Sequence, residues 1–347
     1  VRELLLQSIS ESEKSQVIED VSQFLSQRFG HCVDFHAWLK HPDLARSAEC
    51  RPFAQVAVKL FRQLGGKYRA LADQIEQIPQ VDVKPPTSTK FIEQTFEFDV
   101  ITVDNTGKEI KRVRGKNVQR VYDLGNGIQL ELVRIPTGEF MMGSPKGEGY
   151  DDERPQHKVV FAKPFYMGKY PVTQQQWQAV MGNNPSRFKG EKLPVETVSW
   201  DEAKKFCKKL SQRLGETFDL PSEAMWEYAC RAGTMTKYCF GDVITPELAN
   251  YWDSRIEQTT EVGKDPANAF GLYDMHGNVW EWCEDVWHGN HNDAPSDGSA
   301  WVSGDSNLHL LRGGSWYIND NFLRCADRGR NAATYWDHGR GFRLSRM

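Results

Sequence analysis

At 347 residues, 39% hydrophobic and 26% charged, the chain has room for two domains, one of them with a substantial core. Its formal net charge of −4 excludes a dedicated nucleic-acid binder, because phosphate contacts need a basic surface. No apolar run reaches the length of a membrane span, and no signal-peptide pattern opens at Val1, so a cytoplasmic protein is expected.

Residues 1–79 read as a helical N-terminal domain. Val17, Val21, Phe24, Leu25 and Phe29 recur at helical spacing before Gly30, and Phe53, Val56, Ala57, Leu60, Phe61 and Leu64 do so before Gly65-Gly66. Neither stripe carries a chemical motif, so the expected role is docking, oligomerisation or regulation. Pro85-Pro86 and its neighbours favour extended backbone and place a linker at 80–95. From residue 96 to 347 a second domain is expected. Phe96 to Val103 and Gln129 to Val133 alternate like strands, with Asn126-Gly127 as a turn. Gly147 to Glu153 reads as a loop, with Asp151-Asp152-Glu153 a solvated acidic turn.

Three short helices carry start signals. Thr173 and Gln176 can form a capping box for a helix with Trp177, Val180 and Met181 on one face before Gly182. Ser199 and Glu202 repeat the device, for a stripe of Ala203, Phe206, Cys207, Leu210 and Leu214 ending at Gly215. Pro221-Ser222 opens the third, with Trp226 and Ala229 inward. Beyond Gly233 only short strands and loops are expected, and 11 Trp with 28 Gly suit a loop-rich fold anchored by large aromatics.

The seven cysteines, Cys32, Cys50, Cys207, Cys230, Cys239, Cys283 and Cys325, are scattered and form no CxxC pair. Reduced thiols are expected rather than a disulfide framework or a zinc cluster. His288, His291 and Asp293 match no zinc spacing and read as a solvated loop. No phosphate loop and no GxSxG nucleophile elbow occurs, so no catalytic residue is assigned.

Several motifs follow one another in a fixed order: Phe140-Met-Met-Gly-Ser144, Pro194-Val-Glu-Thr-Val-Ser199-Trp200, Leu220-Pro-Ser-Glu-Ala-Met-Trp226-Glu-Tyr228-Ala229, Gly271 to Trp282, Arg312-Gly-Gly-Ser-Trp316 and Gly341-Phe-Arg343. Over roughly residues 95–347 they resemble the formylglycine-generating-enzyme, or sulfatase-modifying-factor, family. The resemblance implies an α+β, C-type-lectin-like fold of small antiparallel sheets, few helices and much irregular chain. Family enzymes oxidise a substrate cysteine using oxygen and copper held by two cysteines, and a soft ion of that kind needs thiolates. In that register Ile318 and Leu323 stand where the cysteines would be, so no copper is expected and oxidase activity becomes the alternative function. Cys325 reads as a small buried side chain. The resemblance also implies a structural calcium at Asn278 and Glu281, oxygen donors suited to a hard cation. The other reading is that these two bond backbone while Trp280 and Trp282 fill the core. A second calcium site would begin at Asn250, with its carboxylate partners unclear. No other cofactor is expected.

The tail from 312 to 347 also resembles the variable region of proteins diversified by retroelements that mutate template adenines. Arg312 to Trp316, Leu323-Arg324, Ala326, Arg328, Arg330 and Gly341 to Arg343 follow the fixed frame of such regions. Between them lie Tyr317, Ile318, Asn319, Asn321, Phe322 and Asp327, then Gly329, Asn331, Ala332, Tyr335, Asp337, His338 and Gly339. Each is reachable from an asparagine codon by changing adenines alone. This pattern marks them as ligand-binding positions on a diversified surface, with Arg324, Arg328 and Arg330 bracing the scaffold. The expected protein binds a protein or small ligand there without being an enzyme, and its first domain connects recognition to a partner, a bacterial signalling component. A third possibility is an adaptor acting mainly through the helical domain.

Overall fold

Alternating side chains build the first and largest sheet. The computed structural model describes residues 91–304 and 307–347; the helical stripes expected within 1–79 lie outside the described residues. Strand β1 (Ile92–Val103) starts ahead of the expected residue 96 and pairs antiparallel along β2 (Glu109–Asp123). Sequence reading missed β2, because its outer half, Glu109 to Arg114, is exposed and presents no apolar face. Cross-strand ion pairs hold that half instead, with Arg114 reaching Glu97 at 3.2 Å and Asp99 at 2.9 Å. The Asn126-Gly127 turn forms as expected, with both residues at positive φ (55° and 77°) and Leu124 N–H donating to Ile128 at 2.8 Å.

Strands β3 (Gln129–Ile135), β6 (Phe165–Gly168) and β11 (Ser345–Arg346) complete this five-stranded antiparallel sheet in the order β1-β2-β3-β6-β11. Strands β4 (Gly138–Met142) and β5 (His157–Phe161) form a separate hairpin. The third sheet runs β10-β7-β8-β9, from Arg340–Gly341, Trp280–Val286, Leu308–Arg312 and Gly329–Ala332. The last residues of the chain therefore enter two sheets.

Among the described residues the three α-helices are α1 (Gln174–Met181), α2 (Trp200–Leu214) and α3 (Glu223–Arg231). Thr173 with Gln176 and Ser199 with Glu202 make the anticipated capping boxes, and Gly182 and Gly215 end their helices in left-handed conformation. Ser222 caps α3 by accepting from Met225 N–H at 3.0 Å. Of the α1 stripe only Trp177 is fully buried; Val180 and Met181 pack on the core while half-buried.

One core lies between α1, α2 and the chain end, where the Trp177 and Phe206 rings stack at 5.4 Å and Phe342 meets both edge-on. A second packs α3, through Trp226, Tyr228 and Ala229, against Phe161, Phe165 and Met275. Phe342 and Trp226 thus hold the tail by its ends, because Phe342 follows the tail's last turn and Trp226 abuts Gly313.

Candidate recognition surface

Four arginines of the expected frame make buried ion pairs. Arg312, fully buried, pairs with Glu227 and also donates to the Asp327 carbonyl. Arg324 forks onto Glu153 at 2.9 and 2.7 Å, and Arg328 forks onto Glu223 at 2.6 and 3.0 Å. Arg343 does the same with Glu281 at 2.6 and 2.7 Å while bonding the carbonyls of Gly168, Tyr273 and Asp274. Burial alone would raise the Glu223 carboxyl, yet Arg328 and Arg312 hold it down at about 2. Glu227 is likewise kept low against its burial by Arg231 and Arg312. Arg330 departs from the expected bracing role: it is exposed and lies over the Trp287 ring at 4.3 Å.

Glu153 corrects the reading of a solvated acidic turn. It is fully buried in a 3-10 turn (Asp151–Glu153) as the partner of Arg324, 171 residues away. The His288 to Asp293 loop is also less solvated than expected. His291 is 3% exposed, and burial pushes its imidazole down to about 4; His288 stacks on Trp301 at 3.5 Å. Asp293 is exposed.

Backbone geometry explains the glycines of the Arg312 motif. Gly313 and Gly314 sit at φ +92° and +76°, and a Cβ on Gly314 would lie 2.9 Å from the Phe322 carbonyl. The chain can then turn under its own tail, and Asn319 caps a 3-10 turn (Asp320–Leu323).

Most of the positions expected to vary reach the surface, in separate groups. Tyr317 and His338 pack on Trp316 at 5.1 and 5.5 Å, with Phe188 edge-on to Trp316 at 5.5 Å. The Tyr317 hydroxyl donates to Asp337 at 3.0 Å, and Arg340 pairs with Asp337 while lying 4.7 Å over Tyr335. Tyr335 is 44% exposed. A second group holds exposed Asn319 and Asn321 with half-buried Phe322, whose ring stacks on Tyr150 at 6.2 Å. Gly329, Asn331 and Ala332 lie half-buried on the edge strand β9. Phe188, Tyr150 and exposed Trp336 join these groups although the sequence did not single them out. An exposed Trp inside the tail was the one available signal.

Besides Gly329, two positions are enclosed and display no side chain. Asp327 is 1% exposed, bonded to Arg324, and burial pushes it up to about 7. Gly339 is buried, and a Cβ there would come within 2.2 Å of the Tyr317 ring. Ile318 is half-buried and packs into the core, and Leu323 is fully buried. These two aliphatics do not fit copper, since neither offers a thiolate.

The calcium pair does not fit a cation either. Both Glu281 oxygens accept from Arg343, and one also accepts from Trp226 Nε1 at 2.6 Å. The Asn278 amide is spent on the Thr260 backbone at 3.0 and 3.1 Å. A better donor set lies beside Asn250. Buried Asp274 and half-buried Asp265 each keep one enclosed carboxylate oxygen without a hydrogen bond. Burial pushes them up to about 8 and about 6, and Asp265 adds to the rise of Asp274. Orphaned buried oxygens of this kind suit a hard cation.

Among the described residues, small antiparallel sheets, three α-helices and long irregular connections define an α+β scaffold of the C-type-lectin-like kind. A sulfatase-modifying factor enzyme 1-like domain matches residues 126–347, and the chain belongs to that family. PvdO from Pseudomonas aeruginosa is similar at 33% identity and a TM-score of 0.61, over 65% of this chain and 97% of that one. Treponema denticola variable protein 1 is 28% identical with a TM-score of 0.60, over 65% of this chain and 98% of its own. The chaperone protein LppX of Paenibacillus barcinonensis is 33% identical over 247 residues, 54% of this chain and 85% of that protein. The chain spans only 38% of the serine/threonine-protein kinase pkn1 of Chlamydia caviae, at 33% identity over 251 residues.

Proposed function

We propose that this chain is a non-enzymatic ligand-binding protein that presents a diversified surface from its C-terminal tail, in the manner of a retroelement-diversified variable protein. One observation carries the reading. Frame residues Arg312, Arg324, Arg328, Phe342 and Arg343 are buried and bonded, whereas Tyr317, Asn319, Asn321, Tyr335, Asp337 and His338 reach solvent between them. A rigid frame with replaceable tips is what recognition by many alternative sequences requires. The likeness to the Treponema variable protein, over 98% of that chain, supports it. Tyr317, Trp316 and Phe188 supply contact area at low entropic cost, and Asn319, Asn321 and Asp337 supply adaptable hydrogen bonds to a protein or small ligand. The family name favours an oxidase, but the tail's Ile318 and Leu323 give that chemistry no ligands.

The test is a pair of display libraries. One randomises the six solvent-reaching positions named above and the other the five frame positions. The first is expected to retain folded display in most members and to yield binders to a panel of proteins; the second is expected to lose folded display. Equal retention in both libraries, or no binder from the first, refutes the proposal.

A further inference from the structure

Cysteines that are scattered in sequence converge in the fold. Cys230 ends α3, His276 lies in the loop before β7, and Cys325 follows the tail's 3-10 turn. The two thiols are 3.6 Å apart, the Cys230 sulfur is 3.8 Å from His276 Nε2, and all three donor atoms lie within 4.8 Å of one another, fully buried. We propose that Cys230, His276 and Cys325 form a binding site for a thiophilic d10 cation, Zn2+ in the first instance.

The spacing matches the ion. With Zn–S near 2.3 Å and Zn–N near 2.0–2.1 Å, a tetrahedral centre sets S···S at about 3.8 Å and S···N at about 3.5 Å. The observed 3.6 Å between the thiols and 3.8 Å from Cys230 to His276 depart from these by a few tenths of an ångström, and the Cys325–His276 pair lies within 4.8 Å. The histidine is already oriented. Its Nδ1 faces the Leu323 carbonyl at 2.7 Å, which fixes the proton there and leaves the Nε2 lone pair on the side of the thiols. That lone pair accepts the Cys239 N–H at 3.1 Å, a bond that the ion would have to displace.

Charge also balances. Binding removes one proton from each thiol, so two thiolates, a neutral imidazole and a divalent cation sum to zero, and two protons leave per ion bound. A buried site with no net charge avoids the desolvation cost that excludes isolated ions from interiors. The three ligands belong to α3, the pre-β7 loop and the tail, so the ion would staple the tail frame to the scaffold. This inference stands whether or not the tail is diversified.

The full chain, purified reduced and without chelator from zinc-supplemented cells, is analysed for metal and titrated with Co2+ in place of Zn2+. One zinc per chain is expected, with a thiolate-to-cobalt charge-transfer band that saturates at one equivalent. Cys230→Ser and Cys325→Ser should each lower retained zinc at least fivefold, while Cys207→Ala, in the separate α2 core, should retain it. Three results overturn the site: less than a tenth of an ion per chain after reconstitution, undiminished zinc in both serine variants, or two of the seven thiols missing in the untreated protein, which would mean a disulfide. If the serine variants fail to fold, the cobalt spectrum and thiol count of the wild-type chain decide alone.

Discussion

Replacing Arg328 by alanine probes one of the buried charges of the frame. The Arg328 side chain is fully buried, forks onto Glu223, and also donates to the carbonyls of Asp152 and His288 at 2.5 and 2.9 Å. The Glu223 carboxyl stands at about 2 instead of its ordinary 4.5. At ~1.4 kcal/mol per pH unit, that displacement is worth about 3 kcal/mol. Most of it goes with the arginine, because Arg312 lies farther from Glu223, at 3.8 Å. Removing one partner of a buried pair costs about 3–5 kcal/mol by the same logic, since a bare charge stays behind. For a domain of this size the melting temperature should fall by about 6–20 °C. Thermal unfolding followed by circular dichroism reads this directly, with Tyr335→Ser and Asn321→Tyr as comparisons. Those exposed exchanges should change stability by no more than about 0.5 kcal/mol. A drop for Arg328→Ala no larger than theirs would refute the frame-and-tip reasoning.

The remaining predictions concern other parts of the same surface. Gly339→Ala should cost about 1–3 kcal/mol and weaken any ligand that uses Tyr317, because its methyl group overlaps that ring; a neutral substitution would restore Gly339 to the exchangeable set. The ion pair of Glu223 should govern part of the acid limb of stability. Its folded pKa lies below the unfolded value, so its contribution is complete above about pH 4.5 and fades as the pH falls toward about 2. Glu223→Gln should therefore lower stability at neutral pH and flatten the slope between those limits, measured by urea unfolding; an unchanged slope would assign the acid limb elsewhere. Incubation with copper, oxygen and a cysteine-bearing sulfatase peptide should leave the cysteine unmodified by mass spectrometry, and formylglycine product would restore the oxidase reading.

Local chemistry made much of the scaffold legible. Thr173, Ser199 and Ser222 announce their helices because a cap needs one side chain at one offset, and Gly182 and Gly215 end two of them for an equally local reason. The motif at Gly341 was recognisable, but its physical role was not. Only the fold brings Arg343 to Glu281, 62 residues away, and thereby turns an expected calcium ligand into an ion-pair partner. The same distance problem hid Glu153 behind its acidic neighbours and left Cys230 and Cys325, 95 residues apart, looking scattered. In the tail, codon logic could propose which positions vary but not which ones face solvent. Asp327 and Gly339 fit that logic and are nonetheless enclosed, one by arginines and the other by the Tyr317 ring. Phe188 and Tyr150 were invisible for the converse reason, since their place beside the tail comes from loops remote in sequence. Strand β2 escaped because cross-strand charge pairs, not an apolar face, hold its outer half.

The central claim is that selection and diversification act on different residues of one short segment. Deep sequencing of the tail-coding DNA across a growing population, together with its flanking locus, tests this most directly. Expected are a neighbouring reverse transcriptase and adenine-derived substitutions concentrated at the codons for Tyr317, Asn319, Asn321, Tyr335 and His338, with Arg324, Arg328 and Phe342 unchanged. Substitutions spread evenly over frame and tips, or a locus with neither a reverse transcriptase nor a second copy of the segment, would contradict it.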